Sequence, residues 1–231
     1  MRYTIFLLSV YTLLGTARFS TAGFFTPHLS LAAEGGATRS YLVTDGLMTE
    51  CFAPTAGVEK VIRPAGGIGV HLSLGKYLGV STGMGYRHFG QYTKSTTVYF
   101  QDNEFEHYFE SRINLNYFTV PFILKAGIRH HIFSVFLRFG ITPSLLVSDD
   151  FAWVIDKREV PENSWRMPDV TIRYWAAPLH LGGETGIHFG KNGVFLSLEY
   201  NYGFSNFATG LSGNAFIRSY GGTLQYRREI F

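Results

Sequence analysis

Three ionisable side chains, those of His180, Glu184 and His188, lie four residues apart in a segment that alternates apolar and polar residues. Histidine and carboxylate side chains are common ligands of zinc, which binds them at roughly 2 Å. In a β-strand, however, four residues span roughly 13 Å. The spacing therefore predicts no metal site. We expect these side chains to form hydrogen bonds and ion pairs instead.

A second set of residues could serve an enzyme, which needs a base near a nucleophile or an activated water molecule. His88, His107 and the pair Asp149 and Asp150 fall near predicted loops, but nothing in their spacing selects them. The acidic run over residues 92–112 could hold Ca²⁺, yet it lacks the EF-hand pattern. No catalytic residue, metal or cofactor is predicted. A protease or a lipid hydrolase is kept as an alternative.

The elements that position these side chains have a period of two. From Phe133 to Val147 every odd position is apolar, and the even positions include small and polar residues: Ser134, Arg138, Gly140, Thr142 and Ser144. This run is much longer than the average strand of about five or six residues, and it predicts a membrane-spanning strand. Leu137 and Phe139 are expected to face lipid, and Arg138 the interior.

The same alternation recurs along the chain and predicts eight strands. The other seven lie over residues 24–36, 61–75, 77–92, 113–128, 173–189, 193–205 and 216–231. Short turns are predicted at 75–77, 129–131 and 190–193, and long polar loops at 37–60, 93–112, 148–172 and 206–215. Outer-membrane β-barrels join their strands by short periplasmic turns and longer extracellular loops. The fold class is therefore predicted to be an all-β, eight-stranded antiparallel up-and-down transmembrane barrel with both termini in the periplasm.

The polar faces of these strands carry charges of both signs, which predicts a filled interior. An eight-stranded barrel has room only for its own side chains, and a lone buried charge costs several kcal/mol. We therefore expect a plugged lumen with a structural polar network, rather than an ion or solute pathway. The predicted network comprises Glu34, Arg63, His71, Arg87, Lys125, Arg138, His180, Glu184, His188, Glu199, Arg227 and Glu229. Alternation alone also allows a soluble exported barrel that turns its apolar face inward and binds an apolar ligand.

The ends of the chain and its composition bear on export. Residues 1–22 are predicted to be a signal peptide, because an apolar run follows Arg2 and small residues precede a cut near Ala22. Residues 23–231 would then form one barrel domain. The net charge is +3 with the charges scattered, so nothing in the composition suggests a nucleic-acid binder, and no nucleic-acid partner is expected. Cys51 is the sole cysteine, so no internal disulfide can form, and it lies too far from the signal peptide to carry a lipid anchor.

One segment resembles a known family. Residues 115–125 read LNYFTVPFILK, which is similar to the L-x-Y-L-E-I-P-L-L-L-K stretch of the PorT-like outer-membrane β-barrel family of Bacteroidetes. Tyr117, Pro121 and Lys125 match, whereas Thr119 stands where that family often has Glu. The segment over residues 200–204 also resembles the penultimate strand of these barrels. The resemblance covers residues 61–231 in strand order and implies an integral outer-membrane protein; one branch of the family serves type IX protein secretion.

The last strand ends in Phe231, which resembles the terminal aromatic residue read by the barrel-assembly machinery. Arg227 and Glu229 occupy places that are usually apolar in that signal, so the signal is imperfect or a bulge shifts its register.

We expect a non-enzymatic outer-membrane protein that acts through its extracellular loops as a scaffold, an adhesion surface or a secretion accessory. The expected partners are outer-membrane lipid, the assembly machinery and a protein at the loops. The loop over 148–172 contains Trp153 and Trp165, which suit either partner contact or anchoring at the bilayer interface.

Overall fold

The computed structural model describes residues 27–44, 58–99, 106–155, 158–159, 171–172, 174–203, 208–210 and 213–230. The predicted signal peptide over 1–22, Cys51, Trp165 and Phe231 lie outside these ranges, so the predictions made for them stay predictions. The side chains of His107 and Trp153 are likewise outside the description. Within the described ranges, no helix has the length and apolar character needed to cross a membrane.

All the regular elements of the described chain are β-strands. They are β1 Pro27–Thr44, β2 Val58–Lys60, β3 Ile62–Leu74, β4 Leu78–Tyr99, β5 Glu106–Thr119, β6 Phe122–Arg129, β7 Phe133–Ile141, β8 Ser144–Ile155, β9 Arg158–Glu159, β10 Thr171–Ile172, β11 Trp175–Ala176, β12 Leu179–Phe189, β13 Asn192–Tyr202, β14 Ala208–Gly210 and β15 Gly213–Glu229.

These strands close into a barrel with eight positions around its wall. Every strand pair is antiparallel, and β1 pairs with both β3 and β15, so the first described strand closes the wall against the last. The wall continues from β3 to β4. Each of the next three positions is made of two consecutive strands, which are β5 with β6, β7 with β8, and β11 with β12. The last two positions are β13 and β15. The predicted eight-stranded antiparallel up-and-down barrel is confirmed.

Three neighbouring wall positions are interrupted, each at a dipeptide that ends in proline. The interruptions fall at residues 120–121, 142–143 and 177–178, where the second residue is Pro121, Pro143 or Pro178. Proline has no backbone N–H to donate to a sheet ladder. The wall is held across the break by Val120 N donating to the Pro143 oxygen at 2.8 Å and Thr142 N donating to the Pro178 oxygen at 3.0 Å. The single strands predicted over 113–128, 133–147 and 173–189 are therefore each two segments.

The strands also reach further than their apolar alternation does. β1 continues to Thr44, β4 and β5 pair out to Tyr99 and Glu106, and β8 runs to Ile155. Much of the sequence predicted as long loops at 37–60, 93–112 and 148–172 is thus strand. Backbone hydrogen bonds to a neighbouring strand do not depend on side-chain polarity. A strand can therefore continue beyond the part of the wall with apolar outward-facing residues, and its sequence there shows no alternation.

The two ends of the barrel differ. One end holds the connections at residues 75–77, 130–132 and 190–191 together with the start of β1 and the end of β15, and we call it the turn end. Gly75 and Gly190 have positive φ angles there, 70° and 62°, a conformation that glycine adopts without strain. The opposite end, where β4 leads to β5 and β13 leads to β14, is the loop end.

The wall has an apolar outer face and a polar inner face. Leu137 is 73% exposed and the neighbouring Arg138 only 6%, and the same contrast repeats along β12, β13 and β15. Buried side chains of the described strands include Ser81, Ser134, Ser197 and Gln225. The face that a water-soluble barrel would turn inward is therefore the outer surface of this one.

Candidate functional site

Glu184 of β12 is the hub of a charged cluster inside the barrel. Its carboxylate accepts a hydrogen bond from Lys125 Nζ at 2.8 Å and two from the Arg227 guanidinium, one of them at 2.7 Å. Arg138 Nε lies 4.0 Å from the same carboxylate. Lys125 Nζ also donates to His71 Nδ1 at 2.8 Å. Three cations from three other strands thus share one carboxylate.

A second cluster surrounds Glu199 of β13. The guanidinium of Arg87 meets both oxygens of this carboxylate, with Nη2 to Oε2 at 3.1 Å. His180 Nδ1 lies 3.7 Å from Glu199 Oε2 and 3.2 Å from Asn201 Oδ1. Asn201 Nδ2 in turn donates to Ser219 Oγ at 3.3 Å. Hydrogen bonds of this cluster therefore join β4, β12, β13 and β15 across the lumen.

The turn end carries a third, half-buried cluster around Glu229 of β15. This carboxylate lies 2.6 Å from His28 Nδ1 and accepts a hydrogen bond from Arg129 Nη2 at 2.7 Å. Glu34 of β1 is also half-buried and accepts a hydrogen bond from Gln225 Nε2 at 2.5 Å. The carboxylates of Glu229 and Glu34 thus both bind residues that are distant in the sequence.

Two of the predicted network residues lie apart from these clusters. Arg63 Nη2 donates to the amide oxygen of Asn114 at 2.8 Å, towards the loop end. His188 packs its ring edge-on against Phe195, with the ring centroids 5.2 Å apart. Arg63 and His188 are both only partly buried, so neither lies in the fully enclosed clusters.

The enclosed charges do not balance one another. Among the described residues, four cationic side chains are buried, Arg87, Lys125, Arg138 and Arg227, against two buried carboxylates, Glu184 and Glu199. Within the described part of the chain, Nε and Nη1 of Arg138 have no hydrogen-bond partner. Because Glu184 lies beside three of these cations, loss of its negative charge should destabilise the interior more than loss of the charge of Glu199.

A buried apolar layer that the sequence analysis missed lies towards the loop end. Phe89 of β4 and Ile113, Leu115 and Tyr117 of β5 are all nearly inaccessible, and the rings of Phe89 and Tyr117 meet edge-on with centroids 5.5 Å apart. One signal could have revealed it. Ile113 and Leu115 share the odd parity of Lys125, which was predicted to lie in the lumen.

The upper part of β4 is tied to β1 by hydroxyl groups. Ser40 Oγ donates to the Gly90 oxygen at 3.0 Å and accepts from the Gly90 N–H at 2.8 Å. Thr38 Oγ1 donates to the His88 oxygen at 3.4 Å. These bonds hold Phe89 against the interior, so the lumen is filled by charged clusters and, beyond them, by an apolar layer.

Of the residues that could serve an enzyme, the structure describes the side chains of His88, Asp149 and Asp150, whereas that of His107 lies outside the description. Within the described ranges, no group of three or more His, Cys, Asp or Glu side chains is placed to hold a metal ion. Asp150 is exposed and accepts a hydrogen bond from Asn114 Nδ2 at 3.1 Å. Among the described residues, no direct hydrogen bond or ion pair joins His88 to Asp149 or Asp150, although Asn114 is a hydrogen-bond partner of both His88 and Asp150.

The chain is similar to known proteins in structure but not in sequence. No family model matches the chain, and no curated protein matches it. Similar solved structures include Ail, the attachment invasion locus protein of Yersinia pestis, at 10% identity over 86% of this chain and 98% of that one, with a TM-score of 0.37. Neisserial surface protein A gives 9% identity, 87% and 97% coverage and a TM-score of 0.38. The outer membrane protease OmpT of Escherichia coli is 10% identical over 91% of this chain and 99% of that one, with a TM-score of 0.38.

TM-scores of this size assign neither a family nor a function to the chain. The evidence for its fold is its own closed, eight-position antiparallel wall.

Proposed function

We propose that the chain is an integral outer-membrane β-barrel that performs no enzymatic step, has a sealed lumen and works through its loop end. The observation that carries this proposal is the apolar outer surface. Large apolar side chains face outward on every side of the wall: Ile68 is 61% exposed, Leu124 59%, Leu137 73% and Leu198 62%. Soluble monomers rarely expose continuous apolar surface of this extent.

Membrane insertion also fits the backbone. A closed barrel pairs the N–H and C=O groups of all its strands, and closed barrels and helices are the structures that can span the lipid core. Barrels of this type place their short turns in the periplasm and their longer loops outside the cell. The turn end, with both termini, is accordingly proposed to face the periplasm, after export directed by residues 1–22.

The filled interior supports two further parts of the proposal. Charged clusters around Glu184 and Glu199 occupy the place where a soluble carrier would hold an apolar ligand. They occupy equally the place where a porin has its aqueous channel. A barrel of this kind contributes through surfaces rather than through transport, and so we assign it the role of a scaffold, an adhesion surface or an accessory of protein secretion.

Membership of the PorT-like family is also part of the proposal. Its support lies in the positions of the three matching residues. Tyr117 is in the apolar layer, Pro121 is at a strand interruption and Lys125 binds Glu184. Each contributes to architecture, so the resemblance supports a shared barrel. A role in type IX secretion is one form of the accessory function.

Fractionation of the native host tests the membrane assignment. We expect the protein in the outer-membrane fraction, extracted only by detergent, and we expect faster migration on a gel before boiling than after, because a folded barrel resists unheated detergent. Recovery from the soluble periplasm after lysis without detergent would refute the assignment.

Site-specific photo-crosslinking tests the role of the loop end. A crosslinker at the exposed Asp150 should capture a protein partner in cells, whereas one at the exposed Lys191, at the turn end, should not capture that same protein. The rival enzymatic role predicts something different. Cleavage of peptide or lipid substrates by the purified barrel, lost in His107→Ala or Asp150→Asn, would overturn the non-enzymatic assignment.

A further inference from the structure

Two arginines face outward from the barrel wall near the loop end, each set among tyrosines. Arg39 of β1 lies opposite Tyr220 of β15, which lies opposite Tyr200 of β13. One step nearer the loop end, Tyr41, Arg218 and Tyr202 form the same kind of row on the same three strands. We call the set the arginine–tyrosine patch: Arg39, Tyr41, Tyr200, Tyr202, Arg218 and Tyr220.

The ring and hydroxyl group of Tyr202 hold the guanidinium group of Arg218 against the wall. Arg218 Cζ lies 4.7 Å from the centroid of the Tyr202 ring, and its Nη2 donates to the Tyr202 hydroxyl at 3.4 Å. Arg39 Cζ lies 6.0 Å from the centroid of the Tyr220 ring, at the limit of a cation–π contact. Among the ion pairs of the described residues, none joins Arg39 or Arg218 to a carboxylate. Among the described residues, these positive charges are therefore oriented by neighbouring side chains but not neutralised by a carboxylate.

The surroundings of the patch are apolar on the side towards the middle of the wall. On β13, Leu198 lies two residues from Tyr200 towards the middle of the wall and is 62% exposed. On β15, Leu224 lies four residues from Tyr220 in the same direction and is 58% exposed. An unneutralised cation at the border of such a surface needs an anion or water. Where lipid meets water, the anion at hand is a headgroup phosphate, whose oxygens match the planar fork of a guanidinium.

A strip of small outward-facing residues, which we call the groove, lies between the patch and the middle of the wall. Ala37 lies opposite Gly222, and Gly35 is the next outward-facing residue of β1. A Cβ atom added at Gly35 would meet nothing within 4 Å, and one added at Gly222 would first meet Leu198 Cδ2 at 3.4 Å. The groove therefore offers room for a hydrocarbon chain directly beneath the two cations.

We propose that the arginine–tyrosine patch binds the phosphate of a phosphorylated glycolipid of the lipid A type, with one acyl chain of that lipid in the groove below. The inference rests on the proposed function, because the loop end must face the outer leaflet for this lipid to reach the patch. Arg39 and Arg218 contact the phosphate, and the tyrosines hold the guanidinium groups and border the sugar.

Native mass spectrometry of the full-length, detergent-purified barrel tests this. The probes are bis-phosphorylated lipid A, its dephosphorylated form and inorganic phosphate. We expect the phosphorylated lipid to bind most tightly. Each arginine near an anionic surface contributes enough that Arg218→Gln should weaken this binding about fivefold and Arg39→Gln/Arg218→Gln about thirtyfold.

Arg228→Gln is the matched control, because Arg228 is an exposed arginine on the same strand but at the turn end. It should leave lipid A binding unchanged. Equal binding of the dephosphorylated lipid, equal weakening by Arg228→Gln, or competition by inorganic phosphate at concentrations similar to those of the lipid would each overturn the inference. Gel migration before boiling reports folding of each variant. A folded, membrane-extracted barrel without lipid preference refutes the patch alone, whereas a protein that never enters the membrane refutes the proposed function.

Discussion

At the scale of single residues, Glu184 is the side chain on which the interior depends most. Glu184→Gln keeps the size of the side chain but removes the charge that Lys125, Arg138 and Arg227 share. Removing one partner of a buried ion pair leaves an uncompensated charge, at a cost of roughly 3 to 5 kcal/mol. We expect a loss of this size in the free energy of unfolding, measured by urea denaturation of the barrel in lipid vesicles.

Glu229→Gln is the control for that variant. Glu229 also has two basic partners, but its side chain is 21% exposed at the turn end. Water screens such pairs, so the loss should be at most about 1 kcal/mol. If the two variants lose the same stability, Glu184 is not the hub that its contacts indicate.

Leu137 tests the outer face at the same scale. It is the most exposed apolar side chain of β7, and it was expected from the alternation to face lipid. Leu137→Arg should cost about 2 to 4 kcal/mol of folding free energy in a bilayer if the residue lies at mid-depth, whereas Leu137→Met should be nearly neutral. Unfolding in vesicles measures both. Equal stability of the two variants would contradict the assignment of this face to lipid.

At the scale of elements, the short turns set how neighbouring strands meet. Gly190 connects β12 to β13 with a φ of 62°, and an added Cβ would meet no atom within 4 Å there. Gly190→Ala therefore introduces backbone strain without a clash, and should lower the free energy of unfolding by about 1 kcal/mol. Gly190→Asn should lose less, because asparagine tolerates this conformation better.

Gly35 provides the comparison for the turn. It also has open space around its Cα atom, but it lies within β1 with no positive φ. Gly35→Ala should be neutral or slightly stabilising in the same unfolding measurement, since alanine restricts the unfolded chain. A loss at Gly35 as large as that at Gly190 would mean that backbone conformation is not the cause.

The elements also show how far sequence patterns reach. The alternation over 133–147 correctly identified a wall strand and its two faces, since parity persists through the interruption at Pro143 and leaves Ile141 and Leu145 both outward. It did not predict the interruption itself, because whether a proline breaks a strand depends on the hydrogen bonds of the neighbouring strands. The prediction of loop at the polar ends of β4 and β5 is wrong for a similar reason: their strand conformation comes from pairing with each other.

At the scale of the whole molecule, the layers of the interior predict that the barrel does not conduct ions. The bonded Arg87 and Glu199 span the lumen, and Phe89 and Tyr117 pack together nearer the loop end. Planar bilayer recordings should show no discrete current steps after insertion, with an open porin as the positive control in the same bilayer. Regular single-channel steps from the folded barrel would contradict a sealed lumen.

The sequence by itself determined the periodic features of this protein. The strand count, the short turns and the two faces of each strand follow from neighbours two residues apart, and the mixed charges on one face indicated that this face lies inside. The tertiary structure alone decided which residues meet. Arg87 and Glu199 are 112 positions apart, and the arginine–tyrosine patch forms only where β1 closes against β15. Such contacts depend on the stagger of strands around the closed wall, a property of the whole barrel that no local pattern encodes.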